Sequence, residues 1–286
     1  VLWKYRVSQA PSLPGLIERH PTLLLGLLLL AFMTLLALGA PLWAPFDHGE
    51  INPIDRLQSP SAAHWFGTDH LGRDIYTRTV YGSRISLVVG VCVSAISIAV
   101  GLCIGLLSGY YRRLDTVVMR VMDGLMAIPG IFLAIALMAL MSASVRNVVI
   151  ALAVPEIPRV VRLVRALVLS LREQPFVEAT RAAGAGVPRI LFRHIMPNTL
   201  AAVIVQGTYI CASAVIVEAY LSFLGAGTPP NIPSWGNIMA EGRSYIQLAF
   251  WIIFFPGLFV ATTVLAINLV GDGLRDTLDP KFASRM

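Results

Sequence analysis

Long windows free of charged side chains alternate with shorter polar stretches along this chain, and a membrane-crossing helix needs about 20 mostly apolar residues. Residues 22–40 form the first window, opened by Pro21 and closed by Pro41 and Pro45. Residues 85–109 form the second, between Arg84 and the Arg112-Arg113 pair. Residues 248–270 are clean, and residues 199–221 are clean apart from Glu218. Two weaker windows lie between these. Residues 117–141 carry Arg120, Asp123 and Pro129, and residues 148–168 give way at Pro155 and Pro158 to Arg159, Arg162 and Arg165. Proline is tolerated inside a membrane helix where neighbouring helices satisfy the freed carbonyl. An arginine at the bilayer centre costs roughly 2.5–3.5 kcal/mol on insertion scales, so these three are expected at or beyond the membrane surface. The pattern predicts an all-α polytopic membrane protein with six transmembrane helices, the fourth short, kinked and buried among the others.

Composition sharpens this reading. The 286 residues are 56% hydrophobic and only 13% charged, about half the charged share of an ordinary soluble domain and too apolar for a disordered chain. Cys92, Cys103 and Cys211 all sit in apolar runs without CxxC or His-rich spacing, so they read as small core residues. In a six-span arrangement with both termini inside, 16 of the 22 Lys and Arg fall on the inner side, as the positive-inside rule requires. The first window offers small residues at Ala37-Leu38-Gly39, but its length favours an uncleaved anchor over a signal peptide. No repeat of 20 to 50 residues is present, which removes solenoid architectures. The expected organisation is an inner segment 1–21, a first span 22–40 and an outer segment 41–84. A five-helix core 85–270 follows, with an inner loop 172–198 and an outer loop 223–247, and then an inner tail 271–286.

Three hydrophilic stretches carry the candidate chemistry. In the outer segment, His64, Asp69, His70 and Asp74 are possible metal ligands, but nothing in the sequence fixes a metal geometry, and a turn-rich loop with internal Asp–Arg pairing is the preferred reading. In the inner loop, Pro175 suits the first turn of a helix and Gly184 a left-handed stop, which predicts a short helix over 175–183. A second helix is expected from Pro188 to just before Pro197, because the residue preceding proline avoids the helical region, with Asn198 capping the next span. Together these form an inner protrusion; a helix lying on anionic lipid is the alternative. The outer loop, with Gly225, Gly227, Pro229-Pro230, Pro233 and Trp235-Gly236, is expected to lack regular structure and to act as a lid or docking surface.

Catalytic motifs are missing. There is no GxSxG or HExxH, and neither Lys4 nor Lys281 follows a glycine as a phosphate-binding loop requires. Any energy from ATP would have to come from another polypeptide. Asp123, Glu156 and Glu218 are the intramembrane acids an ion-coupled carrier would use, although a structural or conformational role is the preferred reading; Glu218 is also the candidate translocation-path residue.

The inner loop then gains a specific reading. Glu178-Ala179-Thr180, Gly184 and Ile195-Met196-Pro197 resemble the EAA loop of binding-protein-dependent ABC importer permeases. Thr180 and Met196 depart mildly from that pattern, and His194 stands where it has isoleucine. The stretches 66–74, 193–198, 221–236 and 271–280 resemble the C-type permease of the dipeptide, oligopeptide and nickel group. The resemblance implies a type I ABC importer permease in a bacterial cytoplasmic membrane. Its partners would be a second permease, two ATPase subunits that bind ATP and Mg, an external solute-binding protein and a peptide substrate, with no nucleic acid. No cofactor would sit in this chain, which would be a non-catalytic translocation subunit working by alternating access.

By the same resemblance, Pro175, Phe176, Glu178, Ala179, Arg181, Ala182, Ala183, Gly184 and Pro197 would couple the chain to the ATPase. Gly67, Asp69, Arg73, Asp74, Pro233 and Trp235 would meet the binding protein. Alternatives are import of nickel or another small solute, an ion-coupled secondary transporter, and a membrane scaffold without transport of its own.

Overall fold

A computed structural model describes residues 21–278. The expected inner N-terminal segment with Lys4, Arg6 and Arg19, and the tail residues Asp279, Pro280, Lys281 and Arg285, lie outside the described residues. Among the described residues the regular structure is helical: α1 (Pro21–Leu38), α2 (Ala40–Trp43), α3 (Ile75–Tyr110), α4 (Arg112–Met126), α5 (Gly130–Leu140), α6 (Val145–Leu171), α7 (Pro175–Ala182), α8 (Val187–Ile190), α9 (Met196–Phe223), α10 (Trp235–Gly242) and α11 (Trp251–Leu278).

Among the described residues, four stretches are long and apolar enough to cross a membrane: Pro21–Leu38, Ile75–Tyr110, Val187–Phe223 and Trp251–Thr277. A fifth crossing exists if α4 and α5, which meet at 87°, count as one broken span. Six were expected. The missing one is α6, which is not short: its 27 residues extend about 40 Å at 1.5 Å per residue. Arg146, Glu156, Arg159, Arg162 and Arg165 make it too polar to qualify on composition.

Helix α6 nevertheless lies at the centre, with Val148, Ala151, Val160, Val161, Val164 and Val168 all buried. It runs parallel to α3 because three glycines admit it. A Cβ placed on Gly101, Gly105 or Gly109 would stand 2.5, 2.7 or 2.7 Å from the Cβ of Val160, Val164 or Val168 respectively. Both series advance by four residues, the small-xxx-small contact that lets membrane helices approach closely.

That register also fixes the arginines. Val160 is level with Gly101, inside the charge-free window of α3, so Arg159 and its neighbours do not lie beyond that window as expected. Each has an acid instead. Arg159 Nη1 donates to Glu156 at 3.1 Å, Arg162 to Asp123 at 2.6 Å and Arg165 Nη2 to Asp115 at 2.6 Å. Two of those three acids come from α4.

Helix α1 packs antiparallel on α11, where Gly26 faces Leu269 and Val270 while Gly273 faces Leu23. Arg84 caps the end of α1 by donating to the carbonyls of Ala37 at 2.6 Å and Leu38 at 2.9 Å, two of the acceptors a helix C-terminus leaves unpaired. Helix α3 begins ten residues before its expected start, because the Asp74 side chain accepts from Thr77 N at 2.7 Å and caps it there.

Candidate functional site: the inner loop and the outer cap

The inner loop leaves α6 through Gln174 and turns at once into α7, with Pro175 in its first turn. Val177 is the buried anchor, while Phe176, Glu178, Ala179, Arg181, Ala182 and Ala183 are exposed. Gly184, at φ +82°, ends the helix. Its N–H donates to the Arg181 carbonyl at 3.0 Å, and the Ala185 N–H donates to the Thr180 carbonyl at 3.2 Å. These two bonds are the pair that closes a helix through a left-handed residue. The predicted short helix is therefore present, with Ala183 as its cap. Ala179, Ala183, Gly184, Arg189 and His194 line a depression beside it.

The second expected helix does not stop before Pro197. Helix α8 continues through a π-helical turn, Leu191–Ile195, directly into α9, and Pro197 sits in the first turn of α9. The wider turn is the reason: Met196 N donates five residues back to the Leu191 carbonyl. Pro197 then falls in the first turn of α9, where a residue without an N–H is tolerated. Asn198 does not cap. Its Nδ2 donates back to the His194 carbonyl at 2.6 Å.

At the opposite end of the bundle the two outer segments fold onto one another as a cap. Asp69 Oδ1 accepts from the N–H groups of Leu71 and Arg73 at 2.8 and 2.9 Å. Its Oδ2 accepts from Arg73 Nε and Arg78 Nη1, both at 2.6 Å. Both guanidinium groups continue to Glu241 on α10. Arg78 donates to it at 2.5 and 3.0 Å, and Arg73 adds a further short bond. Asp69 and Arg78 are almost fully buried, so these two neutralise one another where water does not reach, while Arg73 and Glu241 complete the network nearer the surface.

The expected Asp–Arg pairing is thus present, and Glu241 is the member that sequence reading missed. Asp69, His70 and Glu241 also stand close enough to hold an ion, but both carboxylates are engaged by arginines. Asp74 is likewise committed, to the cap of α3 and to His64 Nδ1 at 3.0 Å. A cation there would have to displace these partners.

Two tryptophans pin the cap to the helices. Trp235 Nε1 donates to the Thr79 carbonyl at 3.0 Å and Trp251 Nε1 to the Thr68 carbonyl at 3.1 Å. The outer loop is not irregular throughout, because Ser234 caps α10 by accepting from Asn237 N at 3.3 Å. Glycine and proline crowd only its first half. Gly67, Asp69, Asp74, Pro233 and Trp235 are all buried and Arg73 is half-buried, so they shape the cap from within. Its surface is offered by other residues, including Ile51, Ile54 and Trp65.

Glu218 is fully buried beneath the cap. It accepts from the hydroxyl groups of Ser86 at 3.0 Å and Ser222 at 2.8 Å. Ser222 continues through Thr228 and Ser234 to Asn237. A separate cavity of about 130 Å³ lies where α3, α5, α6 and α9 meet, lined by Val93, Gly130, Ala134, Pro155, Glu156, Arg159, Ser213 and Ala214 among others. Glu218 is not on its wall.

Comparison with known proteins agrees with this architecture. Residues 101–284 match the family described as binding-protein-dependent transport system inner membrane component, and residues 18–60 match the N-terminal TM domain of oligopeptide transport permease C. A probable peptide ABC transporter permease protein, y4tQ, of Sinorhizobium fredii is 51% identical over 97% of this chain and 95% of its own. The dipeptide transport system permease protein DppC of Alkalihalophilus pseudofirmus is 44% identical, over 94% of this chain and 88% of its own. The di/tripeptide transport system permease protein DppC of Pseudomonas aeruginosa is 42% identical, over 90% and 87%. A chain of the MetNI methionine ABC transporter in an inward-facing conformation aligns with a TM-score of 0.60 at 21% identity, covering 72% of this chain and 98% of that one, a likeness of fold. This chain belongs to the family of multi-pass inner-membrane permease components of binding-protein-dependent ABC transport systems.

Proposed function

We propose that this permease moves di- and oligopeptides inward across a bacterial cytoplasmic membrane by alternating access, with both termini on the inner side. It works beside a second permease, above two ATPase subunits that bind ATP and Mg, and beneath an external solute-binding protein. In this reading α6 completes a sixth span, its charges facing other protein. Helix α7 is the coupling helix that docks on an ATPase, and the outer cap receives the binding protein.

The observation that carries the reading is α7 itself. It presents Glu178, Ala179, Arg181 and Ala182 outward from a single buried anchor, Val177, and is closed at both ends by backbone geometry. Such a unit moves as one body. Glu178 supplies charge to a partner surface, and the small alanines permit close approach. The peptide assignment is supported by full-length relatives named for peptide transport.

The test is uptake by the complete complex in proteoliposomes, with ATP inside and binding protein outside. Uptake of a labelled dipeptide mixture is the expected result. Uptake of nickel without peptide would move the assignment to a metal importer, and uptake without any ATPase subunit would make the chain a secondary carrier.

A further inference from the structure

Glu156 and Arg159 belong to neither the coupling loop nor the cap, and their depth is unusual. Ser97 Oγ donates to the Ala153 carbonyl at 3.3 Å, and Gly101 is level with Val160. Between those contacts, Glu156 and Arg159 stand beside the middle of the charge-free window of α3. At such depth a charged side chain faces the bundle interior or a water-filled path rather than lipid. Arg159 is nevertheless 57% exposed and Glu156 14% exposed, and both line the cavity between α3, α5, α6 and α9.

Two further features suit the cavity to a solute. Its wall is otherwise small or apolar, with Gly130, Ala134, Ala214 and Ser213 among its residues and no further charged group. It also adjoins the break between α4 and α5, where a Cβ on Gly130 would stand 3.3 Å from the Pro155 Cβ. Secondary transporters place substrate near the membrane midplane beside interrupted helices, and the same physical logic applies to this cavity. Among the described residues only Nη1 of Arg159 has a partner, the Glu156 carboxylate at 3.1 and 3.2 Å. Its Nε and Nη2 donors remain available.

We infer that Glu156 and Arg159 form a translocation-path subsite for the zwitterionic backbone of a dipeptide, Glu156 receiving the α-ammonium and Arg159 the terminal carboxylate. Three residues apart on one helix, the two charges are separated by about 4.5 Å along its axis. A passing dipeptide exchanges their mutual pair for two pairs with its own ends, so no charge is left uncompensated. Side chains rest against the small wall, which makes the subsite indifferent to sequence. This inference rests on the peptide reading above.

The experiment uses the complete complex in proteoliposomes and measures both peptide moved per ATP hydrolysed and stimulation of hydrolysis by peptide-loaded binding protein. Glu156→Gln and Arg159→Gln are each expected to lower peptide moved per ATP at least tenfold while stimulation persists. The exchange Glu156→Arg with Arg159→Glu keeps an ion pair but reverses the order of charges, and it is expected to stay at least tenfold down. Recovery of transport in the exchange variant overturns the subsite, because it shows that the pair only supports structure. Undiminished transport in the single variants also overturns it, as does a parallel loss of transport and stimulation. If the unaltered complex moves no peptide, the peptide reading itself fails and the subsite with it.

Discussion

Replacing Arg78 by methionine removes the cation that joins three separate pieces of the outer cap. Arg78 sits on α3, Asp69 in the first outer segment and Glu241 on α10, and the guanidinium donates to both acids at 2.5–3.0 Å. Methionine fills much of the same volume, so little of the effect comes from packing. What remains is two carboxylates facing Arg73 alone, one negative charge in excess where Asp69 is fully buried. Removing one partner of a buried ion pair costs about 3–5 kcal/mol, because the other charge is stranded. Arg73 and the 21% exposure of Glu241 favour the low end, so the expected cost is about 3 kcal/mol. That corresponds to a roughly 100-fold faster local opening.

Hydrogen exchange at the amides of residues 64–78 and 234–242 reads that opening in the assembled complex, while the α6 amides serve as an unchanged internal reference. Arg78→Lys keeps the charge but loses the fork that grips two acids at once, and should fall between methionine and wild type. Adding Asp69→Asn to Arg78→Met removes the stranded charge and should recover a large part of the loss, a coupling above about 1 kcal/mol. Exchange in Arg78→Met that matches wild type, or a double variant as open as the sum of the singles, would refute the reasoning.

Other outcomes follow from single contacts. Gly105→Leu should keep the complex from assembling, since even a Cβ would stand 2.7 Å from the Val164 Cβ and 3.0 Å from the Val161 carbonyl; overpacking costs about 1–3 kcal/mol for far smaller insertions. Assembly is checked by size-exclusion chromatography with the second permease, and Val164→Ala should not rescue it because the Cβ clash persists. Glu218→Ala leaves the Ser86 and Ser222 hydroxyl groups without their acceptor, so the cap should loosen by about 1–3 kcal/mol, seen as faster exchange at residues 228–237. Gly184→Val places a branched side chain at φ +82°, where the left-handed backbone costs about 1–2 kcal/mol. Open space around that residue means the penalty is conformational and confined to α7, visible as increased exchange at residues 175–185 alone.

Much of this architecture is legible in the sequence because its strongest signals are local. Charge-free windows mark the apolar spans, and Pro175 and Gly184 mark the ends of α7 within one residue. What escaped depends on partners remote in sequence. Arg73 meets Glu241 across 168 positions, and no pattern around either residue indicates the other. Arg162 and Arg165 of α6 looked misplaced because their acids, Asp123 and Asp115, lie on a different helix. Pro197 looked like a stop, yet the chain passes through the π-turn Leu191–Ile195 and continues as helix with Pro197 in the first turn of α9. The glycines 101, 105 and 109 carried a readable signal in their four-residue spacing, and their function became evident only with Val160, Val164 and Val168 facing them.

The coupling assignment of α7 is tested most directly by ATP hydrolysis. The chain would be purified with its second permease and ATPase subunits, and hydrolysis measured with and without peptide-loaded binding protein, for wild type against Glu178→Lys and Gly184→Val. The account predicts clear stimulation in wild type and its loss in both variants while the complex stays assembled, since charge reversal at Glu178 opposes docking and Gly184→Val distorts the helix that docks. Full stimulation in both variants would contradict it.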